Sequence, residues 1–359
     1  MILHFIHYDP KFLDTIINII QIFNMKQHNI VVYGKGVKEE KKEITDNKNV
    51  IYGFKYNRKR IKGLINDSKG IIFHGLYDPS IILMLALNRR LLKKSNWVVW
   101  GGDVYSKGTK DISFKKRLKF VVQSTFAANF KYLTTLADGD YKVAVEKFGV
   151  KSIHLKGLYA NPDTKKAIQL RNERKSYTNE VINIQVGNSA TKSNHHMEVF
   201  DTLSCYKDEN IRIHAPLSYN DHEYAKKVIR YGREIFGEKF IPLTKLTDAY
   251  TYNKYQSTMH VGIFNNDRQQ GMGNIGKLLF FGAKVYLRSN TALWDKYVNL
   301  EKYHLFDISS ISSMSFKQFV DFDDKKAEHN KKKYLDSRDI NQLKSIWQTI
   351  FDAMLEEKE

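Results

Sequence analysis

The chain has a single cysteine, Cys205, among its 359 residues. Intrachain disulfides and thiolate zinc sites are therefore excluded, and a buried, inert thiol is the expected state of Cys205. Long apolar runs are also missing. Ser80–Leu87 is among the longest, well short of the ~20 residues that cross a bilayer as a helix. The opening Met-Ile-Leu-His-Phe-Ile-His is too short for a signal-peptide core and has no basic leader. These absences lead to the expectation of a soluble or peripheral protein in a reducing cytoplasm. Acidic residues are scarce relative to basic ones, 39 Asp and Glu against 58 Lys and Arg, for a formal charge of +19. Such an excess suits nucleic acid, an anionic membrane surface or acidic ligands. Lys and Asn are abundant along the whole chain, so charge alone does not choose among them.

Hydrophobic residues make up 42% and aromatics 13%, enough for well-formed cores. The length exceeds one typical core and points to two domains of roughly 150 residues each. In both halves short apolar strands alternate with helical patterns, which reads as α/β with parallel, doubly wound sheets. Strands are expected at Ile2–His7, Ile30–Tyr33, Val50–Phe54, Gly70–Phe73, Trp97–Trp100 and Leu133–Leu136. Asn161–Asn179 is polar and nearly free of aliphatic residues, which suits a domain boundary. The domains read as 1–162 and 163–335, followed by a tail, 336–359. In that tail Leu343, Ile346, Trp347, Ile350, Phe351 and Leu355 line one side of a helix, suited to packing back across the boundary.

Arg268–Gly276 reads Arg-Gln-Gln-Gly-Met-Gly-Asn-Ile-Gly between the apolar runs Met259–Phe264 and Lys284–Leu287. A strand, a glycine-bearing loop and a helix stopped by Gly282 would form a phosphate cradle. Gly271 and Gly273 permit close backbone approach, and the helix N-terminus attracts an anion. Arg268 would add a forked donor, with Gln269 and Gln270 as neutral donors. A glycine-rich turn beside an ordinary surface arginine would carry the same residues. A second junction, Gly187-Asn188-Ser189-Ala190-Thr191-Lys192-Ser193, follows the strand Glu180–Val186, and Tyr219 follows Arg212–Ala215. Doubly wound topology allows these loops to meet on one ligand. Neighbouring His195 and His196 point about 100° apart on a helix, so no metal site is expected. In the first half, His74 and Asp103 end strands at Phe73-His74-Gly75 and Trp100-Gly101-Gly102-Asp103. Each is placed to face a cleft as a base or an orienting group, or to serve only as a turn or hydrogen-bonding residue. Ser113–Ala128 reads as an amphipathic helix with Lys115, Lys116, Arg117 and Lys119 opposite its apolar stripe. Such a helix suits an anionic lipid surface or an ordinary core with a solvated face.

Phe73-His74-Gly75, Trp100-Gly101-Gly102-Asp103-Val104-Tyr105, Val186-Gly187-Asn188-Ser189 with Ser193-Asn194-His195, and Arg268-Gln269-Gln270-Gly271-Met272-Gly273 together resemble glycosyltransferase family 56. This is the family of N-acetylfucosaminyl (dTDP-4-acetamido-4,6-dideoxygalactose) transferases of the enterobacterial common antigen type. The motifs keep the family's order from about residue 70 to residue 295, with Gly102 where the family tends to carry Ala. The resemblance implies a GT-B fold: two facing Rossmann-like domains with a cleft between them, the N-terminal one for the acceptor and the C-terminal one for the nucleotide-sugar. It implies a metal-independent hexosyltransferase without a cofactor, with a nucleoside-diphosphate sugar as donor. The implied acceptor is a polyprenyl-diphosphate-linked saccharide, reached from the inner face of the cytoplasmic membrane in bacterial surface polysaccharide synthesis. Asp103 and His74 would be catalytic, and Gly187, Asn188, Ser189, Ser193, Tyr219, Arg268, Gln269, Gln270, Gly271 and Gly273 would hold the donor. Other readings of the same residues are a nucleotide-sugar epimerase of similar fold and a nucleic-acid-binding protein. The latter lacks a recognition motif of the usual kinds, so no nucleic-acid partner is expected.

Overall fold

The structure, a computed structural model, describes all residues except 35–36, 38–48, 55–56, 106–113, 138, 161–163, 174–180 and 357–359. Both ends of the polar boundary segment lie outside the described residues, and its middle forms the helix Lys165–Asn172. The chain forms two compact units, Met1–Pro162 with Asp339–Glu359, and Asp163–Arg338.

Strands of unit 1 are β1 (Ile2–His7), β2 (His28–Tyr33), β3 (Val50–Tyr52), β4 (Gly70–His74), β5 (Ser95–Val98), β6 (Tyr132–Thr135) and β7 (Ile153–Lys156). They form one parallel sheet in the order β3-β2-β1-β4-β5-β6-β7. Side chains alternate between its faces, and both faces are covered, so the central strands are mainly apolar on both sides. Leu3, Phe5, Phe73, Trp97 and Leu133 pack under the helices that carry Ile61, Ile81, Leu85, Phe120 and Phe148. Ile2, Ile6, Ile30, Ile72 and Val98 face the helix Pro10–Gln21 and the last helix, Ile340–Leu355.

That last helix explains a polar line through the apolar core. His4 of β1 lies opposite Ile30 of β2 and Ile72 of β4. His28 and His74 are two residues from those partners and so share His4's face. His4 Nε2 lies 3.0 Å from His28 Nδ1, and His4 Nδ1 lies 3.0 Å from His74 Nε2. The other His74 nitrogen meets the Tyr159 hydroxyl. If each imidazole donates from one nitrogen and accepts at the other, a single head-to-tail chain satisfies the whole row. Burial holds His4 well below the ordinary imidazole range, and lowers His28 to about 4 and His74 to about 3. Phe351 covers His28 and His4 at ring distances of 4.6 and 5.9 Å, and Trp347 lies 6.3 Å from His74 and 5.6 Å from Tyr159. Met354 sits so close to β4 that a Cβ on Gly70 would fall 2.6 Å from its own Cβ.

Trp347 is fully buried and its indole N–H donates to Leu158 O at 2.9 Å. Trp347→Ala is expected to cost unit 1 about 3–5 kcal/mol. Chemical denaturation followed by a probe in each unit reads this as an early transition in unit 1 and an unmoved one in unit 2.

Unit 2 has β8 (Ile182–Val186), β9 (Ile211–Pro216), β10 (Phe240–Leu243), β11 (Val261–Phe264), β12 (Lys284–Leu287) and β13 (Phe306–Asp307). These form a parallel sheet ordered β10-β9-β8-β11-β12-β13. Helices His196–Leu203 and His222–Phe236 pack on one face, and Met272–Phe281 on the other. In each sheet the strand order reverses once, between β1 and β4 and between β8 and β11. Doubly wound sheets bind ligands at that reversal, beyond the C-terminal strand ends. Cys205, expected to be buried, is exposed. It lies just past the last apolar turn of His196–Leu203, where its thiol donates to Thr202 O at 3.3 Å.

Candidate functional site

Three strand ends meet at the reversal in unit 2. After β8 the chain turns at Gly187, whose φ of +67° disfavours any side chain and where a Cβ would fall 2.7 Å from His196 Nε2. Buried Asn194 holds the loop that follows, accepting from Asn188 N–H at 3.3 Å and donating to Ser189 O at 2.8 Å. After β11 the chain turns at Gly271, with a φ of +72°, directly into Met272–Phe281. A Cβ on Gly271 would lie 3.1 Å from Asn188 Oδ1, so the two loops touch at a glycine. The first N–H groups of this helix, at Met272 and Gly273, have no intrahelical carbonyl to meet.

Side-chain hydrogen bonds join the loops in sequence. Arg268 Nε donates to Ser193 Oγ at 3.1 Å, Ser193 to Gln270 Oε1 at 2.7 Å, and Gln270 Nε2 to Asn188 Oδ1 at 2.9 Å. Asn188 Nδ2 donates to Tyr219 Oη at 3.3 Å, and that hydroxyl returns a bond to Asn188 O at 3.0 Å. Gly187, Asn188, Ser193, Tyr219, Arg268, Gln270, Gly271 and Gly273 are thus gathered at one sheet edge. Ser189 and Gln269 are turned inward. Ser189 Oγ pairs with Thr191 Oγ1 at 2.9 Å, and buried Gln269 points its amide nitrogen at Met272 Sδ, 3.1 Å away. Gln269 therefore braces the loop from within.

A charged clasp lies beside this chain. His195, at a φ of +49°, has Nδ1 2.8 Å from Glu198 Oε1 and Nε2 3.2 Å from Asp267 Oδ2, and donates to both carboxylates when protonated. The hydrogen bond to Asp267 and the one to Glu198 raise the imidazole above its ordinary range against the opposing effect of burial. Burial opposes ionisation of Asp267, and the His195 bond with Arg268 and Arg288 nearby outweighs it. Glu198 Oε2 accepts from Asn265 at 3.1 Å and from Arg288 at 3.0 Å. The clasp ties the β8 loop to the β11 loop. Because His195 is raised, its contribution is full at low pH and is lost as pH rises through the folded value. Ligand affinity at this edge is expected to fall about fivefold across that rise, the scale of a half-exposed ion pair. His195→Asn should bind more weakly and show a flat pH profile in the same titration.

In unit 1 the structure corrects the placement of Asp103 and His74. Neither opens to solvent; both are fully buried. Asp103 accepts from Leu76 N–H at 3.1 Å, Trp97 Nε1 at 2.7 Å and Trp100 N–H at 3.0 Å. Burial pushes its carboxyl up while these three donors oppose the rise. The turns after β4 and β5 leave N–H groups without strand partners, and Asp103 supplies the acceptor that fixes both turns. His74 is an inner member of the histidine row.

His195, Glu198, Asn265, Asp267 and Arg288 were not picked out as site residues from the sequence. Their signal was present, since Asn265-Asn266-Asp267 follows β11 and Arg288 follows β12, the positions where doubly wound sheets place ligand groups. Among the described residues, no three His, Cys, Asp or Glu side chains are placed to hold a metal ion. No helix among them is long and apolar enough to cross a membrane.

The family described as 4-alpha-L-fucosyltransferase, glycosyl transferase group 56, matches residues 44–337, a longer span than the motifs mark. Solved structures similar to this chain include a glycosyltransferase from Rickettsia africae, 12% identical with a TM-score of 0.65 over 99% of both chains. A trehalose-6-phosphate protein from E. coli bound with UDP-2-fluoro glucose is 10% identical, with a TM-score of 0.65 over 99% of both chains. An alpha,alpha-trehalose 6-phosphate synthase from Burkholderia multivorans is 11% identical, with a TM-score of 0.61 over 99% of this chain and 95% of that one. At these identities the likeness carries the fold, GT-B with two Rossmann-like units.

Proposed function

The chain belongs to glycosyl transferase group 56, and from that membership we propose that it moves a deoxy-amino sugar of the 4-acetamido-4,6-dideoxy kind from a dTDP-linked donor. The acceptor in this reading is a polyprenyl-diphosphate-linked saccharide of bacterial surface polysaccharide synthesis, approached from the cytoplasmic face of the membrane. The observation that carries the donor half is the meeting of the Gly187 and Arg268 loops at the reversal of the unit 2 sheet. In the transfer, the bond from the anomeric carbon to the diphosphate oxygen breaks and a bond to the acceptor oxygen forms. The acceptor hydroxyl proton passes to water. Negative charge grows on the departing diphosphate, where Arg268 and the N–H groups at the entrance of Met272–Phe281 would stabilise it. A fork cation and a helix terminus can do this without a bound metal. Gln270 and Asn188 join the two loops that would flank the diphosphate. In unit 1, Asp103 holds the turns that form the acceptor rim.

Calorimetric titration with dTDP, UDP and GDP, first without metal and then with Mg²⁺, tests this. Selective binding of dTDP, equal with and without Mg²⁺, is the expected result. Selective binding of UDP or GDP would change the donor class, and binding that needs Mg²⁺ would replace the metal-independent reading. Failure to bind any of the three would overturn the donor site.

A further inference from the structure

The helix Pro79–Leu87 is apolar on both sides. Ile81, Ile82 and Leu85 enter the core of unit 1, yet Leu83 and Leu87 are 56% and 75% exposed. From Ile81 to Leu87 it carries no polar side chain at all. A helix apolar all round normally lies within a core or a membrane. The helix Phe114–Ser124 packs beside it and repeats the feature, with Leu118 and Val121 at 54% and 63% exposure. The pairs 83/87 and 118/121 have i,i+4 and i,i+3 spacing, so each forms one outward stripe.

Cations follow the first stripe. Leu87 leads at once into the turn Arg89–Lys94, where Arg89, Arg90 and Lys93 are exposed. Lys94 of that turn bonds Ile65 O and Ser68 O at 2.8 and 2.7 Å, which ties the turn to the end of the helix Arg58–Asp67. Toward its other end that helix exposes Arg58, Lys59, Arg60 and Lys62. We infer that this face of unit 1 docks on an anionic phospholipid bilayer. Its aliphatic stripes would enter the acyl boundary, and its Arg and Lys side chains would meet the headgroup phosphates. A second copy fits less well, because a two-fold contact would set the same cations against each other. Nucleic acid would meet the cations but leave four exposed aliphatic side chains without a partner.

The inference draws its purpose from the proposed lipid-linked acceptor, but its test reads binding without turnover. Flotation with phosphatidylcholine vesicles, with and without phosphatidylglycerol, should show binding only to the anionic set. The double variants Leu83→Ser/Leu87→Ser and Arg89→Glu/Arg90→Glu should each weaken binding at least about tenfold. Both should keep the wild-type denaturation midpoint of unit 1, which holds the substituted residues, as well as wild-type nucleotide titration in unit 2, which together check that the chain is folded. Loss of binding at high salt in the wild type would support the role of these cations. Absence of wild-type binding to anionic vesicles would overturn the inference, as would binding that neither variant changes. A Leu83→Ser/Leu87→Ser variant that instead abolishes self-association would reassign the face to a second copy. Anionic vesicle binding by a protein that binds none of the nucleotides would keep the docking face and remove the transferase reading. Nucleotide binding without vesicle binding would do the opposite.

Discussion

Arg268→Ala is expected to lower kcat/KM for glycosyl transfer by roughly 10²–10³-fold, the scale of losing one charged donor to a developing anion. The unfolding midpoint should stay near that of the wild type. The side chain is half-buried, and its Nε bond goes to a serine hydroxyl that water can satisfy. The loss should appear in kcat as well as in donor affinity, because the diphosphate carries more negative charge on leaving than in the bound donor. Arg268→Lys keeps the charge but cannot both bond Ser193 and present a fork, so an intermediate loss is expected. Steady-state kinetics on the three proteins, with thermal unfolding alongside, make the comparison. Unchanged kinetics in Arg268→Ala would return the β11 loop to a structural turn.

Acid should unfold this protein steeply. His4, His28 and His74 of unit 1 and His196 and His214 of unit 2 are held in the neutral form by burial. His28 and His214 are lowered to about 4, His74 and His196 to about 3, and His4 lies well below its ordinary value. In the unfolded chain each returns to about 6.5. The unfolded state then binds more protons, so stability is complete above pH 6.5 and is lost as pH falls toward 4 and then 3. A displacement from 6.5 to about 4 is worth on the order of 3 kcal/mol. Two or three such groups in a unit rival the ~5–15 kcal/mol that holds a domain folded. Urea midpoints measured at pH 7, 6 and 5 should fall progressively. His214→Asn should flatten the slope for unit 2 and leave unit 1 unchanged, while equal slopes in wild type and variant would refute the assignment.

Much of the architecture was legible because buried parallel strands are short, apolar and separated by helices with their own period. The two glycine loops were legible for a related reason: a strand that ends in Gly or Asn before a helix marks the ligand edge. β7 was missed. It is an edge strand with Ile153 half in water and Lys156 exposed, and its four residues never form an apolar run. The histidine row was missed because its members stand 24 and 70 residues apart. Only the pairing order β2-β1-β4 brings them together, although a lone His4 inside Ile-Leu-His-Phe-Ile was an anomaly in view. Asp103 looked open because a carboxylate after two glycines reads the same whether it faces water or the interior. Its direction is set by N–H groups on Leu76 and Trp97, which no local pattern reveals. The clasp was hidden for the same reason, since Glu198 and Arg288 are 90 residues apart.

The return of residues 339–359 to unit 1 also bears on synthesis. Domains usually fold in the order they emerge from the ribosome. Here the second half is one uninterrupted stretch and has all its parts once Arg338 has emerged. The first half, made earlier, still lacks the aromatic lid of Trp347 and Phe351 over its three imidazoles. Its final closure must wait until Trp347 and Phe351 have emerged. A nascent polypeptide stopped near residue 338 would carry a finished second half and an unfinished, water-exposed first half, the reverse of the usual order.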